Sequence, residues 1–361
     1  MNAQVAAPRI EGPVLITGGA GFIGTNVAAR LLELGHEVIV FDNMARAGVA
    51  ENLRWLSRRG GSRLRTCLAD TRDAEVLADA VRRAGSVFHF AAQVAVTSSL
   101  EDPVEDFEIN LRGTLNLLEA IRRERRRIPL VFTSTNKVYG ALPDIALSAA
   151  GTRYEPDDEH VRRHGIDETR PLDFCSPYGC SKGAADQYIL DYARSFGLSA
   201  VVLRMSCIYG PHQCGNEDQG WVAHFLLWAM QGRPITLYGD GLQVRDILYV
   251  DDLVDALLMC AEDRDALRGR AFNMGGGPDN TISLQELLNE VAALVDGRVP
   301  KVLREDWREA DQRWFVADTR RFAAATGWRP RVQARDGIGR LFHWLADGEA
   351  PELVEAGVHA A

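Results

Sequence analysis

The sequence predicts an α/β protein, with a Rossmann-type, doubly wound parallel sheet followed by a smaller C-terminal α/β substrate lobe. Three observations support this fold class. Short apolar runs alternate with longer helical segments, a glycine-rich turn follows the first run, and an aspartate ends the second run. Repeated strand–helix–strand units of this kind form parallel sheets with right-handed crossovers.

The strand predictions depend on six short runs that are apolar throughout instead of alternating with polar residues. Such runs are typical of strands that are buried on both faces of a parallel sheet. They lie at 14–17, 38–42, 64–69, 87–91, 130–135 and 200–205. Between them, apolar residues recur with helical spacing, which predicts helices at 22–34, 71–84, 104–123 and 177–196.

The pattern changes after about residue 205, where glycine and proline become frequent. Strands are expected there at 245–250 and 271–274, and helices at 284–295 and 319–326. We therefore expect a dinucleotide-binding domain at 12–204, completed by about 243–272. The substrate lobe is expected to comprise 205–242 and 273–350.

Composition and charge restrict the possible partners and compartment. The chain of 361 residues carries a net charge of −9, which argues against nucleic acid as a partner. It contains no apolar run of membrane-spanning length, and the first ten residues lack a signal-peptide pattern. Its six cysteines form no C-x-x-C pair, and no set of metal-ligand residues is evident. We expect a cytoplasmic protein with reduced thiols, no metal and no membrane contact.

The glycine-rich turn is the first functional motif. Gly18, Gly21 and Gly24 follow the first strand with the spacing G-x-x-G-x-x-G and precede a helix. Glycines in this setting let the backbone approach a pyrophosphate at the helix N-terminus. Asp42, at the end of the second strand, can accept both hydroxyls of the adenosine ribose and would repel a 2′-phosphate. This pattern predicts NAD as the cofactor, although the nearby Arg46 leaves NADP as an alternative.

A second motif supplies a candidate base. Tyr178 and Lys182 form Y-x-x-x-K on a predicted helix, which places them one turn apart on the same face. A free tyrosine has a pKa of about 10, too high for a base at neutral pH. We expect the ammonium of Lys182 and the positive nicotinamide to lower that pKa, so that Tyr178 takes a proton from a sugar hydroxyl during hydride transfer.

Several stretches identify a family resemblance that covers the chain from about residue 12 to 345. The glycine spacing and Y-x-x-x-K resemble the extended short-chain dehydrogenase/reductase family. More specific stretches resemble one group of that family, the CDP-paratose 2-epimerases (CDP-tyvelose epimerases). These stretches are STNKVYG at 134–140, CSKGAADQY at 180–188, DQGWV at 218–222 and DQRWFVAD at 311–318.

The resemblance implies residues for the cofactor site beyond the glycines and Asp42. Asp70 would hold the adenine amine, and residues after the fourth strand would line the cofactor. Tyr178 and Lys182 would contact the nicotinamide end. The further cofactor residues implied are Phe22, Ile23, Asn43, Thr71, Phe90, Ala91, Ala92, Gln93 and Thr133.

The resemblance also completes the catalytic set. Thr135 matches the family's hydroxyl that hydrogen-bonds the reacting oxygen, with Ser134 as the alternative. Related dehydratases carry an Asp-Glu pair at the two following positions, where this chain has Asn136 and Lys137. An amide and an amine cannot replace two carboxylates as acid and base, so 4,6-dehydration is disfavoured.

The substrate site is likewise implied by resemblance. Arg245 and Arg308 would clamp a diphosphate, because a guanidinium matches phosphate oxygens bidentately. Asp311 would hold the nucleotide ribose. The further contacts implied for the nucleotide or sugar are Val94, Thr135, Asn136, Lys137, Gln219, Trp221, Val222 and Arg313. Two alternatives stay open: Arg245 could pair with Asp246, and Trp221 could belong to the core of the lobe.

The activity implied is epimerisation of a nucleotide-diphosphate sugar, at C2 of a CDP-hexose, through a transient 2-keto sugar and hydride return. The alternatives are a nucleotide-sugar 4-epimerase, a net NAD-dependent oxidoreductase, and an NAD-binding regulator without catalysis. Family members often have histidines where Cys175 and Met205 stand, so the accepted sugar could differ. A homodimer is also implied, with the helices at 104–123 and 177–196 forming its interface.

The polar stretch at 141–170 is longer than simple reductases need, and long loops of this kind often carry function. A plain surface excursion is the alternative.

Overall fold

The computed structural model describes residues 10–347 except 217, 263–265, 296, 298–300 and 309–310. Residues 1–9 and residues 348–350 of the expected lobe lie outside the described residues. Within the described part of the chain, no helix combines the length and apolar character that crossing a bilayer requires.

The strands and helices are numbered here in chain order. The strands are β1 Val14–Thr17, β2 Val38–Asp42, β3 Leu64–Leu68, β4 Ser86–His89, β5 Leu130–Thr135, β6 Leu147–Ala150, β7 Arg153–Pro156, β8 Ala200–Met205, β9 Cys207–Tyr209, β10 Ile235–Tyr238, β11 Val244–Tyr249, β12 Arg270–Met274, β13 Thr281–Ser283, β14 Val302–Glu305 and β15 Trp314–Phe315. The helices are α1 Phe22–Glu33, α2 Val49–Gly60, α3 Ala74–Arg83, α4 Val96–Glu101, α5 Pro103–Phe107, α6 Gly113–Arg123, α7 Glu159–His164, α8 Pro177–Phe196, α9 Trp221–Met230, α10 Val250–Ala261, α11 Leu284–Leu294, α12 Arg320–Thr326 and α13 Ala334–Ala346.

A seven-stranded parallel sheet forms the larger unit, in the order β12-β8-β5-β4-β1-β2-β3. The predicted fold class is confirmed. Helices cover both faces: α1 and α10 pack on one side, and α3, α6 and α8 pack on the other. The strand order reverses between β1 and β4, and ligands of such sheets bind in the crevice outside the strand ends at this point.

The predicted helix at 104–123 is interrupted. It divides into α5, a π-helical turn at Glu108–Arg112, and α6. Within this turn, Asn110 Nδ2 donates to Asp106 Oδ1 and to Ser181 Oγ, and Asn110 Oδ1 accepts from Gln93 N. A π-helical turn of this kind displaces the residues that follow it, which helical periodicity cannot reveal.

The smaller unit contains a four-stranded sheet, in which β11 pairs with β13, β15 and β9, and a two-stranded sheet of β10 and β14. Helices α9, α11 and α13 complete its apolar core. Strands β11 and β12 each begin one residue before the predicted position. Only β12 joins the seven-stranded sheet, whereas β11 lies in the smaller unit, and the domain limits stay a prediction.

The polar stretch at 141–170 folds into the β6–β7 hairpin and α7. The hairpin docks on the smaller unit, where Arg153 donates two hydrogen bonds to Glu286 and Tyr154 donates to Asp240. None of residues 141–173, all of which are described, lines the main cavity of the molecule. In this structure, the stretch is an excursion that ties the two units together.

Candidate active site

A cavity of about 860 Å³ lies at the carboxyl ends of the sheet strands, between the two units. Every residue predicted for the cofactor, catalytic and substrate sites lines it, except Arg313. The exposed guanidinium of Arg313 lies 5.0 Å from the ring centroid of Trp307, outside the cavity lining, and its contact with the sugar or nucleotide stays a prediction. The roles of the other residues stay predictions, which the geometry below supports to different degrees.

The glycine-rich turn forms a close-packed cradle at one end of the cavity. Gly18 has a φ of +68°, and a Cβ there would lie 2.7 Å from Ala91 N. A Cβ on Gly24 would lie 2.3 Å from Gly18 O. Because any side chain at these positions would collide with backbone, the turn keeps the N-terminus of α1 open to an anion.

Asp42 points into the cavity from the end of β2. Its Oδ2 accepts from Ala20 N at 3.0 Å and its Oδ1 accepts from Met44 N at 2.9 Å. Both oxygens are therefore held in place with lone pairs remaining for ribose hydroxyls. Arg46 does not join this group, because its Nη2 donates to Gln219 Oε1 across the cavity. The cradle and this carboxylate fit the adenosine end of NAD.

Asp70 lies further along the same end of the cavity. It accepts hydrogen bonds from Arg72 and from Asn43 Nδ2, the latter at 2.8 Å. The hydrogen bonds from Arg72 lower the pKa of Asp70 to about 2. The carboxylate is therefore charged at neutral pH and can accept a hydrogen bond from an amine.

Tyr178 and Lys182 lie at the centre of the cavity, on the first turns of α8. Ser176 caps this helix and Pro177 occupies its first position, which suits a residue without an N–H group. Lys182 Nζ donates to Thr133 O at 2.8 Å. The hydroxyls of Tyr178 and Thr135 are hydrogen-bonded. The predicted choice of Thr135 agrees with this geometry, whereas Ser134 Oγ is buried and has no hydrogen-bond partner among the described residues.

The electrostatics of this pair differ from the expectation. Burial raises the pKa of Tyr178 to about 12, whereas a hydrogen bond donated by Thr135 to the deprotonated oxygen would lower it. Burial also lowers the pKa of Lys182 to about 7, against the opposing effects of Asp186 and Asp106. The expected lowering of the tyrosine pKa is therefore not a property of the protein alone, because desolvation outweighs the lowering effect of the nearby positive charge of Arg46.

A largely buried triad of charges lies beside the catalytic group, with Arg245 buried and Lys137 and Asp311 partly exposed. Asp311 Oδ1 accepts from Arg245 Nη2 at 2.8 Å and from Lys137 Nζ at 3.4 Å. Burial lowers the pKa of Lys137, while the opposite charge of Asp311 raises it. Two cationic groups thus share one carboxylate, which leaves the cavity wall suited to an anion. The alternative pairing of Arg245 with Asp246 is wrong, because Asp246 instead accepts from Ser206 Oγ and Gly277 N.

Two further predicted contacts lie at the lobe end of the cavity. Arg308 Nη2 lies 3.1 Å from Asp218 Oδ1, and its guanidinium is 3.8 Å from the ring centroid of Tyr238. Trp221 Nε1 donates to Cys207 Sγ at 3.5 Å, while its ring lines the cavity and also packs on the lobe core. Trp221 therefore belongs to both the site and the core.

Gln312 is a site residue that the sequence reasoning did not single out. It lies between Asp311 and Arg313 in the DQR stretch and has no exposed surface. Its side chain contacts Asn136 and the backbone of Gly140. The DQR motif was the signal that could have identified Gln312, but functions were assigned only to its charged neighbours, Asp311 and Arg313.

Among the described residues, no group of three or more histidine, cysteine, aspartate or glutamate side chains gathers as metal ligands would. The fold and the cavity together define a class of protein, the Rossmann-fold enzymes of the short-chain dehydrogenase/reductase type.

Comparison with known proteins refines this class. The model of the NAD dependent epimerase/dehydratase family matches residues 14–275. The chain is 43% identical to the CDP-paratose 2-epimerase of Salmonella typhi over 342 residues, which cover 92% of this chain and 99% of that protein. It is 29% identical to a putative UDP-glucose 4-epimerase of Methanocaldococcus jannaschii over 336 residues, covering 92% of this chain and 98% of that protein.

A solved structure agrees with these relatives. The UDP-glucose 4-epimerase of Thermus thermophilus in complex with NAD is 37% identical to this chain and superposes with a TM-score of 0.76, covering 91% of this chain and 97% of that one. The chain belongs to the NAD-dependent epimerase/dehydratase family. It is an enzyme, and NAD is its cofactor, as the sequence motifs predicted.

The position of Asp42 predicts the effect of Asp42→Asn on cofactor binding. An asparagine cannot accept from both Ala20 N and Met44 N, so one acceptor and the charge are lost. We expect the Kd for NAD to rise about tenfold to a hundredfold, the value of a hydrogen bond to a charged group, and discrimination against NADP to fall. Fluorescence titration of protein stripped of cofactor measures both. Asp73→Asn, at the N-cap of α3, is the matched control. An unchanged Kd in Asp42→Asn would contradict the assignment.

The low pKa of Lys182 predicts a pH-dependent stability. Between its folded value of about 7 and its unfolded value, the unfolded chain binds the proton and the folded chain does not. The wild type without cofactor should therefore gain stability as pH rises through this window, by up to about 1.4 kcal/mol per pH unit. Lys182→Met should lack this gain. Urea unfolding at pH 7 and at a higher pH within the window measures the difference, and parallel changes in both proteins would show that Lys182 stays charged.

Proposed function

We propose that this enzyme epimerises a nucleotide-diphosphate sugar, at C2 of a CDP-hexose of the CDP-paratose/CDP-tyvelose type, through a transient 2-keto sugar. The observation that carries this proposal is the juxtaposition, in one cavity, of the Tyr178–Thr135 pair with the triad of Lys137, Asp311 and Arg245. The similarity to a CDP-paratose 2-epimerase along 92% of the chain supports the choice of carbon and nucleotide.

In the proposed mechanism, Tyr178 acts as the base in the first half-reaction. Its deprotonated oxygen takes the proton of the C2 hydroxyl as the C2 hydrogen leaves as hydride, so that C2 becomes a carbonyl. Bound NAD supplies the acceptor for this hydride and later its donor. Tyr178 then returns its proton to the carbonyl oxygen when hydride is delivered to the opposite face of the sugar. No net oxidation results.

Thr135 and Lys182 support Tyr178 in different ways. Thr135 is hydrogen-bonded to the phenol and lies at the same cavity wall, where it can also bond the reacting sugar oxygen. Lys182 Nζ is held by Thr133 O one helical turn from Tyr178, in a position to bond the nicotinamide ribose. Burial of the site excludes water, which protects the keto sugar between the two hydride transfers.

The cationic residues are proposed to hold the nucleotide. Arg245 and Arg308 lie on the lobe side of the cavity and would bind the diphosphate, with Asp311 accepting from the nucleotide ribose. Lys137 adds a second charge near Arg245. Holding the substrate by its nucleotide allows the keto sugar to turn over while the diphosphate stays bound.

The principal alternative is a 4-epimerase on the same scaffold, because the same catalytic residues can act on a different carbon of a differently placed sugar. A UDP-glucose 4-epimerase with NAD bound is 37% identical to this chain, which keeps this alternative open. Dehydration is disfavoured, because Asn136 and Lys137 line the cavity in place of a carboxylate pair.

Turnover of CDP-paratose and CDP-glucose in deuterated water, followed by NMR, tests the proposal. We expect a 2-epimer without deuterium at C2, since the hydride returns internally. Tyr178→Phe should lower kcat by about 100-fold or more, the usual contribution of a general base. Tyr188→Phe, a change to an exposed tyrosine on the same helix, is the matched control.

Other products would decide between the alternatives. Deuterium at C2 would contradict hydride return in favour of proton abstraction. A 4-epimer would establish the alternative carbon, and NADH accumulating with turnover would indicate a net oxidoreductase. Absence of turnover of both CDP-sugars would contradict the proposed substrate and favour another nucleotide or another carbon.

We also propose that the enzyme is a homodimer. Adjacent helices α4, α5 and α8 expose apolar side chains, and an exposed apolar face of this kind is typical of a protein interface. These side chains are Leu100, Val104, Phe107, Tyr188 and Phe196. A second copy of the chain is the proposed occupant, as the resemblance to extended short-chain dehydrogenases implies. All six cysteines are free, which supports a reducing compartment such as the cytoplasm. The similarity to a CDP-paratose 2-epimerase supports a role in carbohydrate biosynthesis.

Light scattering measures the oligomeric state directly. The wild type should have twice the mass of the 39.8 kDa chain, and Val104→Glu should reduce it, because a charge would be buried without a partner. Leu303→Glu, at an exposed apolar position of the lobe, should leave the mass unchanged. A wild type at the monomer mass would rule out the dimer.

A further inference from the structure

Three hydrogen-bonded side chains, those of Gln312, Asn136 and Thr135, form a relay that connects the lobe to the catalytic threonine. The amide of Gln312 is fully buried, and its Nε2 donates to Gly140 O at 2.7 Å and to Asn136 O at 3.4 Å. Backbone carbonyls only accept hydrogen bonds, so this end of the amide must be the NH₂ group. The oxygen of Gln312 therefore faces Asn136.

The orientation of Gln312 determines that of Asn136. Gln312 Oε1 accepts from Asn136 Nδ2 at 3.0 Å. Because this nitrogen is directed to Gln312, the oxygen of the same amide is directed to Thr135, with Asn136 Oδ1 at 3.3 Å from Thr135 Oγ1. An amide oxygen has no proton to give, so Thr135 must be the donor in this bond.

These bonds restrict the hydrogen bonds that the hydroxyl of Thr135 can still form. It has one proton, which is directed to Asn136, and two lone pairs. One lone pair accepts from Lys137 N at 3.2 Å. The remaining lone pair is the part of the hydroxyl available to Tyr178, so Thr135 can only accept from the phenol while these bonds persist.

We propose that Gln312 and Asn136 are positioning residues that direct the Thr135 O–H bond away from Tyr178. Thr135 then accepts a hydrogen bond from Tyr178 or from the sugar hydroxyl while either carries the proton. To stabilise the deprotonated tyrosine by donation, Thr135 must first give up its bond to Asn136. The inference rests on the proposed catalytic roles of Thr135 and Tyr178, but not on the identity of the sugar.

An amide at position 136 is essential to this device. Its donor and acceptor ends are distinct, so fixing one end fixes the other. A carboxylate at this position would accept from Thr135 whatever the orientation of Gln312, and would therefore uncouple the hydroxyl from the lobe. The interaction also runs from the smaller unit to the base, since Gln312 lies two residues before β15 and Asn136 immediately follows β5. The lobe thereby influences the pKa of Tyr178.

The charged groups around Tyr178 are not part of this relay. Asp106 on α5 raises the pKa of the phenol, and Arg46, from the loop after β2, lowers it. Lys182 lies one turn further along α8. Substitution of Gln312 or Asn136 leaves all three in place, so a change in the titration of Tyr178 reports the hydrogen bond from Thr135.

The test is an NMR titration of the NAD-bound enzyme with ¹³C at the tyrosine Cζ, and Tyr178→Phe identifies the signal. In Gln312→Met, and separately in Asn136→Ala, Thr135 becomes free to donate to the phenolate. We expect the pKa of Tyr178 to fall by about one unit in both, roughly the value of a hydrogen bond to a charged group. In a Thr135→Val background, Gln312→Met should cause no such fall.

The controls separate positioning from structural damage. Asn280→Leu removes another buried amide, which bonds Gly276 and Ala334 and has no contact with the relay, and should leave the titration unchanged. If Gln312→Met fails to fold, Asn136→Ala still provides the test. An unchanged or raised pKa of Tyr178 in the folded variants would overturn the proposal. Because the titration needs no substrate, its outcome is independent of whether CDP-hexoses are turned over.

Discussion

The buried ion pair between Asp186 and Arg204 is the interaction on which the rest of the site depends. Arg204 on β8 donates two hydrogen bonds to Asp186 on α8, at 2.9 and 3.0 Å, and a third to Tyr139 in the segment that follows Thr135. Tyr139 in turn donates to Asn273 on β12. One guanidinium thus holds the catalytic helix, the threonine segment and the sheet edge in register. Loss of either charge would leave the other uncompensated, at a cost of about 3–5 kcal/mol.

The same burial that secures this framework determines the chemistry of the cavity. Desolvation works against the charged forms of both Tyr178 and Lys182, so the resting protein holds a neutral phenol beside an amine with a lowered pKa. On the lobe side, charge is retained because Asp311 is shared by two cations. The cavity therefore combines a weakly charged reaction centre with a cationic wall. This arrangement suits a reaction of an uncharged sugar that is attached to an anionic nucleotide diphosphate.

The sequence predicted the elements whose local signals are strong. The strands at 14–17, 38–42, 130–135 and 200–205 and the helix at 177–196 have the predicted bounds, because their apolar runs are bordered by turns or caps. Helix α9 was missed, since it is apolar on most faces and lacks a periodic pattern. Helices α2, α10 and α13 were also missed, although each has an apolar and a polar face. Local patterns also could not show that Arg245 pairs with Asp311, or that Gln312 meets Asn136, because those contacts join segments brought together only by the fold.

The hydrogen bond between Arg46 and Gln219 has a consequence for the retention of the cofactor. It joins the loop after β2 to the loop before α9, across the cavity that contains the glycine cradle. Because both side chains line this cavity, opening of the bond would widen the route by which a bound dinucleotide leaves. A catalyst that takes and returns the same hydride gains from such retention. Its throughput becomes independent of the ratio of oxidised to reduced dinucleotide in its surroundings, and the cofactor behaves as a permanent prosthetic group.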